Sequence, residues 1–271
     1  MKTITLLDGL QYNVQELEEK ARDDKFYYNF LGKTAFSSSI IGTLLESPKN
    51  YWYNLKYGGN EESTALTLGK IIHSKALTPY LFEEQFRVVD VASRNTKKFK
   101  EVKLELGNDF EVITSREEEQ GNRVVDTLLK NPAFITRLNQ SQPEEPKVGE
   151  IFGYPFRAKA DILKSPKLYD LKTTSNLKAF QISAYKYNYD SQAFIYCTLF
   201  DIKPQDFEFI VVDKGSLDIG VYSITEDFFN KGREKVEYAL SVYQEYFEGK
   251  SEDEIKELLA DYYITGVLSW Y

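Results

Sequence analysis

The feature that most constrains this chain is a pair of short segments around a turn. Phe156-Arg157-Ala158-Lys159-Ala160-Asp161-Ile162-Leu163 precedes Lys164-Ser165-Pro166-Lys167, and Leu168-Tyr169-Asp170-Leu171-Lys172-Thr173 follows it. Apolar and β-favouring residues on both sides of a polar, proline-containing turn predict a hairpin. Asp161 then lies on one strand and Asp170 and Lys172 on the next, with 170 and 172 on one face because strand side chains alternate. Two carboxylates on neighbouring strands can hold a hard divalent cation through oxygen, and a lysine two residues on can position and polarise an attacking water. A metal-dependent phosphodiester hydrolase needs that arrangement. Aspartates near a hairpin are also ordinary turn residues, so the pattern needs support from the rest of the chain.

Three further segments supply it. The sole histidine, His73, ends Leu68-Gly69-Lys70-Ile71-Ile72-His73 in a stretch that reads as helix. Gln192 and Tyr196 are four residues apart, on one helical face. Residues 36–48 read as a serine-capped helix start followed by an apolar run. As a helical histidine, His73 reads either as a partly buried hydrogen-bonded residue or as a ligand. Gln192 and Tyr196 read as packing residues or as part of a site.

Residues 1–60 are expected to be helical, best defined over 39–57 with a break at Pro48 and an end at Gly58-Gly59-Asn60. A second helix, 64–78, carries His73. Strands are predicted at 86–90 and 110–113, with a polar excursion over 93–108 between them. Ser115 with Glu118 reads as a capping box opening a helix to Lys130, and Asn131-Pro132 starts a short one. Residues 141–146, with two prolines, read as a loop. A three-stranded meander is expected at 147–152, 156–164 and 168–173, then a helix over 179–200. Strands at 207–213 and 220–224 precede helices at 226–247 and 252–262. This order predicts an α/β fold: a mixed central sheet flanked by helices, with an N-terminal helical elaboration. The expected organisation is one domain over residues 1–271, with a catalytic core about 64–225.

In the order and spacing of Ser37, Gly69 with His73, Asp161 with Asp170-Leu171-Lys172, and Gln192 with Tyr196, the chain resembles the PD-(D/E)XK nuclease superfamily. Within it, the chain is similar to the RecE (exodeoxyribonuclease VIII)/RecB-like exonucleases, including phage-encoded ones. The strand-end proline of the superfamily name is absent, since Ala160 precedes Asp161. The resemblance implies a restriction-endonuclease-like core and metal ligation by His73, Asp161, Asp170 and the carbonyl of Leu171. It implies that Lys172 is catalytic and that Gln192, with Tyr196, hydrogen-bonds near the lysine or the scissile strand. Ser39, with Lys33 upstream, resembles the stretch that receives a terminal 5′ phosphate in phage λ-type exonucleases; an ordinary N-cap explains Ser39 equally well. Glu150, on the strand before Asp161, is either an outer carboxylate or a plain surface charge.

The leading expectation is a Mg²⁺- or Mn²⁺-dependent exonuclease acting on linear duplex DNA ends, 5′ to 3′ by resemblance. It would serve phage-type recombination beside a single-strand annealing protein. Related exonucleases form rings, so a homo-oligomer is compatible with the resemblance. A structure-specific or restriction-like endonuclease and a catalytically silent DNA-binding module are the alternatives on the same fold. The intact Asp161, Asp170 and Lys172 set argues against the silent module.

The formal charge of −8 does not exclude DNA, because affinity for phosphate follows local clustering. Basic stretches occur at Arg94, Lys97, Lys98, Lys100 and Lys103, at Arg157, Lys159, Lys164 and Lys167, and at Lys172 and Lys178. Of the 20 Tyr and 18 Phe, most are expected in the core and a minority are available to stack on bases. The lone Cys197 excludes an internal disulfide and the four-cysteine iron–sulfur cluster of some RecB-like relatives. No apolar run approaches the ~18–20 residues of a membrane span, and the N-terminus lacks a signal-peptide core, so the expected compartment is the cytoplasm.

Overall fold

The computed structural model describes residues 2–58, 63–107 and 110–265. The chain opens on an antiparallel pair, β1 (Thr3–Thr5) and β2 (Gln11–Asn13), where helix was expected. Ile4 is buried between two exposed threonines, a period of two that a helix reading misses. Asn13 caps α1 (Val14–Lys20), and α2 (Leu31–Thr34) follows. Ile4, Leu6, Leu17 and Leu31 from this segment bury against Val148. Next come α3 (Ser38–Glu46) and α4 (Pro48–Tyr57), separated at Ser47, with Pro48 at a first-turn position where its missing N–H costs nothing. The stop expected at Gly59-Asn60 lies outside the described residues.

Helix α5 (Thr64–Leu77) carries His73, and α6 (Phe82–Gln85) follows it. A small parallel pair joins β3 (Phe86–Val89) to β4 (Glu111–Thr114). Between them the polar excursion is helical over α7 (Lys97–Leu106), because Phe99 buries with Val89 and Val112. Helix α8 (Ser115–Lys130) does begin with a capping box, but one residue earlier than expected. Thr114 is the cap, and Glu117 accepts its N–H at 2.8 Å. Helix α9 (Pro132–Leu138) is capped by Asn131.

The central sheet follows, in the order β5-β6-β7-β8-β9. Its members are β5 (Gln142–Ile151), β6 (Tyr154–Lys164), β7 (Lys167–Thr174), β8 (Phe207–Asp213) and β9 (Ile219–Ser223). All neighbours are antiparallel except β7 and β8. The loop expected at 141–146 is instead the start of β5. Prolines 143 and 146 are tolerated there because β5 is an edge strand, with one side free of ladder partners. Phe152 and Gly153 form a two-residue turn with φ of +53° and +82°, the twist that suits a tight hairpin.

The parallel β7–β8 pair requires a crossover, and it is helical. The single helix expected over 179–200 is two: α10 (Phe180–Lys186) and α11 (Tyr189–Phe200), broken at Asn188 with φ +54°. Helices α12 (Glu226–Tyr246) and α13 (Glu252–Ala260) complete the chain. On one face of the sheet, Phe156, Phe207, Phe209 and Val211 pack with Ile195 of α11 and Val236 of α12. On the other, Ile162, Leu171 and Ile210 pack with Ile72 of α5, Leu128 of α8 and Phe134 of α9. Each such side chain, fully removed from water, contributes about 1.5–3 kcal/mol. No helix among the described residues is long and apolar enough to cross a membrane.

Candidate active site

The site forms where β6 and β7 part company. Their pairing runs only from Lys164↔Lys167 to Ile162↔Tyr169; beyond it β6 stays with β5 and β7 with β8. Side-chain alternation also breaks at Asp161. Ala158 and Ala160 belong to the α11 side of the sheet, whereas Ile162 belongs to the α5 side. The parting strands leave the backbone N–H and C=O of buried Leu171 without ladder partners on the β6 side, and such groups must be satisfied otherwise. The Leu171 N–H donates to Asp161 Oδ2 at 2.7 Å, and the Leu171 carbonyl lies 2.7 Å from His73 Nε2. His73 Nδ1 lies 3.6 Å from Asp161 Oδ1.

Asp170 and Lys172 face the α11 side, in register with Phe209 and Val211. Lys172 Nζ is 2.6 Å from Asp170 Oδ2, and Gln192 Nε2 donates to Asp170 Oδ1 at 2.6 Å. Tyr196, one turn along α11, is buried, and burial holds its phenol well above the ordinary range as a neutral hydroxyl. Tyr189 presents its ring 4.8 Å from Lys172 Nζ. Of the residues expected from the sequence, His73, Asp161, Asp170, Leu171, Lys172, Gln192 and Tyr196 therefore converge.

Glu144 joins them, and the sequence reading passed over it because Pro143 and Pro146 made its surroundings look like a loop. It occupies the β5 position opposite Asp161, with φ +52°. One ligand atom each from His73, Glu144 and Asp161 lie within 4.8 Å of one another. Glu150 is exposed six residues further along β5, about 20 Å away at strand rise, and is not in this group.

The electrostatics are those of a buried charge cluster. Burial works against the His73 imidazolium, but the Asp161 carboxylate outweighs it and raises the group to about 9. Burial also works against ionised Asp161, and His73 again prevails, holding the carboxyl below its ordinary value. Burial pushes Asp170 up to about 6 despite Lys172, and burial with the nearby Asp161 charge pushes Glu144 up to about 7. Lys172, though buried, is raised by Asp170, Tyr189 and Asp161, so it is a firm cation.

The donor set fits a divalent cation. Asp161, Glu144 and the Leu171 carbonyl offer oxygens and His73 offers nitrogen, all converging on one small space. Asp170 Oδ2 is buried without a hydrogen bond of good geometry. The imidazole stands between the Asp161 carboxylate and the Leu171 carbonyl, two oxygens that would serve as metal donors.

Ser39 and Lys33 stand apart from this cluster, and both are exposed. Ser37, not Ser39, caps α3, accepting from Ile40 N–H; Ser39 lies inside the helix, 3.0 Å from Ser37 Oγ. Phe36, two residues before α3, bridges β6 at Phe156, five residues, about 17 Å, from Asp161. Two members of the basic stretch beside the hairpin are turned inward. Arg157 and Lys159 are buried against Tyr27, Lys159 pairs with Asp24 at 2.5 Å, and Lys164 donates to the Thr136 carbonyl.

Residues 37–258 match the family described as "PDDEXK-like domain of unknown function (DUF3799)". The chain belongs to this family. No curated protein matches the sequence. Among solved structures, the DUF3799 chain is similar to one from Eubacterium rectale described as a "Putative exonuclease", at 17% identity and a TM-score of 0.59. That match covers 91% of this chain and 95% of the other. A phage-related exonuclease from Haemophilus somnus 129PT matches at 16% identity and a TM-score of 0.32, over 66% of this chain and 92% of that one. At such identities the likeness to the Eubacterium protein is one of fold. It accords with the mixed central sheet and flanking helices described above.

Proposed function

We propose that this DUF3799 protein is a divalent-metal-dependent deoxyribonuclease that degrades linear duplex DNA from its ends. The observation that carries the proposal is the convergence of Asp161, His73 and the Leu171 carbonyl beside the Lys172–Asp170 pair. His73, Asp161, Glu144 and the Leu171 carbonyl would hold Mg²⁺ or Mn²⁺, with Asp170 as a further carboxylate for it. The ion, when bound, supplies Lewis-acid polarisation of the phosphoryl group and charge neutralisation.

The residues divide the remaining work. Asp170, Tyr189 and Asp161 favour the charged form of Lys172, which suits it to orient an attacking water and to stabilise charge growing on the phosphate. Asp170 fixes the lysine, and Gln192 fixes Asp170. Tyr196 remains a neutral hydroxyl behind them. A terminal-phosphate role for Ser39 and Lys33 finds support in neighbouring Arg157, which is buried with Nε and Nη1 unpartnered. The 5′ to 3′ direction, a homo-oligomeric assembly, a role in phage-type recombination and an annealing-protein partner belong to the same reading, on resemblance.

Incubation with linear duplex and covalently closed circles, with Mg²⁺ or excess chelator, tests it. Loss of linear DNA from its ends with circles left intact, and only with metal, is expected. Cleavage of circles would favour an endonuclease, and full activity in chelator would remove the metal.

A further inference from the structure

An aromatic track leads from solvent to Lys172. Tyr189, whose ring lies 4.8 Å from Lys172 Nζ, stands 6.0 Å from the Tyr187 ring, and Lys186 Nζ lies 5.6 Å from that second ring. Tyr187 is 59% exposed. Phe180 and Phe209 hold Tyr189 from behind, at 5.9 and 5.6 Å.

The turn that carries both tyrosines is held firmly. Asn188 adopts φ +54°, and Lys235 of α12 donates to its side chain at 2.9 Å and to buried Asp190 at 3.0 Å. Gly232 of α12 presses so closely that an added Cβ would stand 2.0 Å from the Asp190 carbonyl. An exposed aromatic ring is thus carried on a fixed turn with Lys186 beside it, two residues from the Tyr189 ring that flanks Lys172. Fixed rings with neighbouring cations suit a flat aromatic group attached to phosphate.

We propose that Tyr187 stacks on the nucleobase adjacent to the scissile phosphate, with Tyr189 as its support and Lys186 beside the strand backbone. The proposal rests on the nuclease reading and adds the residue that seats the strand. Stacking is tolerant of base identity, so the stack would fix position without reading sequence.

The test uses the full chain and two duplexes, one natural and one with an abasic nucleotide next to the cleaved bond. Wild type is expected to lose about tenfold to hundredfold in kcat/KM on the abasic duplex, the usual effect of losing one base stack. Tyr187→Ala should be slow on both and indifferent to the missing base, and Tyr187→Phe should restore the preference. An equal abasic penalty in wild type and Tyr187→Ala would overturn the stack while leaving the nuclease intact. If no DNA is cleaved at all, the nuclease reading fails separately. Fluorescence anisotropy of the same oligonucleotides in excess chelator then reads the stack: a wild-type preference for the natural strand that Tyr187→Ala lacks supports it, and equal affinity for both strands overturns it.

Discussion

Lys172 carries a full charge in a buried position because Asp170, Tyr189 and Asp161 surround it. A fixed cation of this kind acts most strongly where negative charge develops. Lys172→Ala should therefore lower the rate roughly 10²–10³-fold while DNA affinity, measured without turnover, stays close to wild type. A variant cleaving at near wild-type rate would leave Lys172 a structural partner of Asp170 with no part in the chemistry. His73 gives a second prediction, in metal-free protein. Its value of about 9 exceeds the ordinary 6.5, so its stabilisation is complete below 6.5 and is lost as pH rises through about 9. Asp170 and Glu144 are also raised and act in the same direction, whereas lowered Asp161 contributes above its ordinary value and opposes them. With chelator present, the denaturant midpoint should fall between pH about 6 and about 9, and His73→Ala should flatten that slope. The aspartates, lysine and histidine were legible because their spacing is a local property of the sequence. The Asp161 bond to the Leu171 N–H was not, since it depends on where two strands stop pairing.

At the scale of elements, β5 shows why the sequence misdirected the search for an outer carboxylate. Its prolines imitate a loop, and an edge position that permits proline leaves no mark in the sequence. The antiparallel register then sets Glu144, not Glu150, opposite Asp161. Glu144→Ala should raise the Mg²⁺ concentration needed for half-maximal activity roughly 10–100-fold, the range typical of groups that tune a metal site. Glu150→Ala should leave it unchanged, and equal effects from a cation titration would refute the distinction. The hairpin, the meander and the long C-terminal helices were readable from apolar periodicity. The break at Asn188 was not, because both flanking segments favour helix and the turn is imposed by Lys235 and the close approach of Gly232.

Across the whole molecule, the charge total misleads in both directions. The chain is acidic, and several of its basic residues are spent inside the fold: Lys159 on Asp24, Arg94 on Glu117, Arg137 on Glu208. The sequence could show that cations cluster, but not which way they point. A metal that binds only the folded chain should stabilise it, by about 2.7 kcal/mol at a hundredfold excess over its Kd. Thermal unfolding with Mn²⁺ and with chelator measures this, and His73→Ala should reduce the difference. The layered architecture was legible from the order of helices and strands. The N-terminal strand pair was not, because three-residue strands carry too little pattern.

The His73 contact with the Leu171 carbonyl joins positions 98 residues apart in the chain. During synthesis the histidine leaves the ribosome long before the strands it must meet. A nascent fragment that ends before Leu171 lacks the carbonyl, Asp170 and Lys172 altogether, and one that ends before Gln192 lacks the side chain that steadies Asp170. On the proposed nuclease reading, the catalytic group is incomplete until most of the polypeptide has been made, a safeguard that comes from chain order alone.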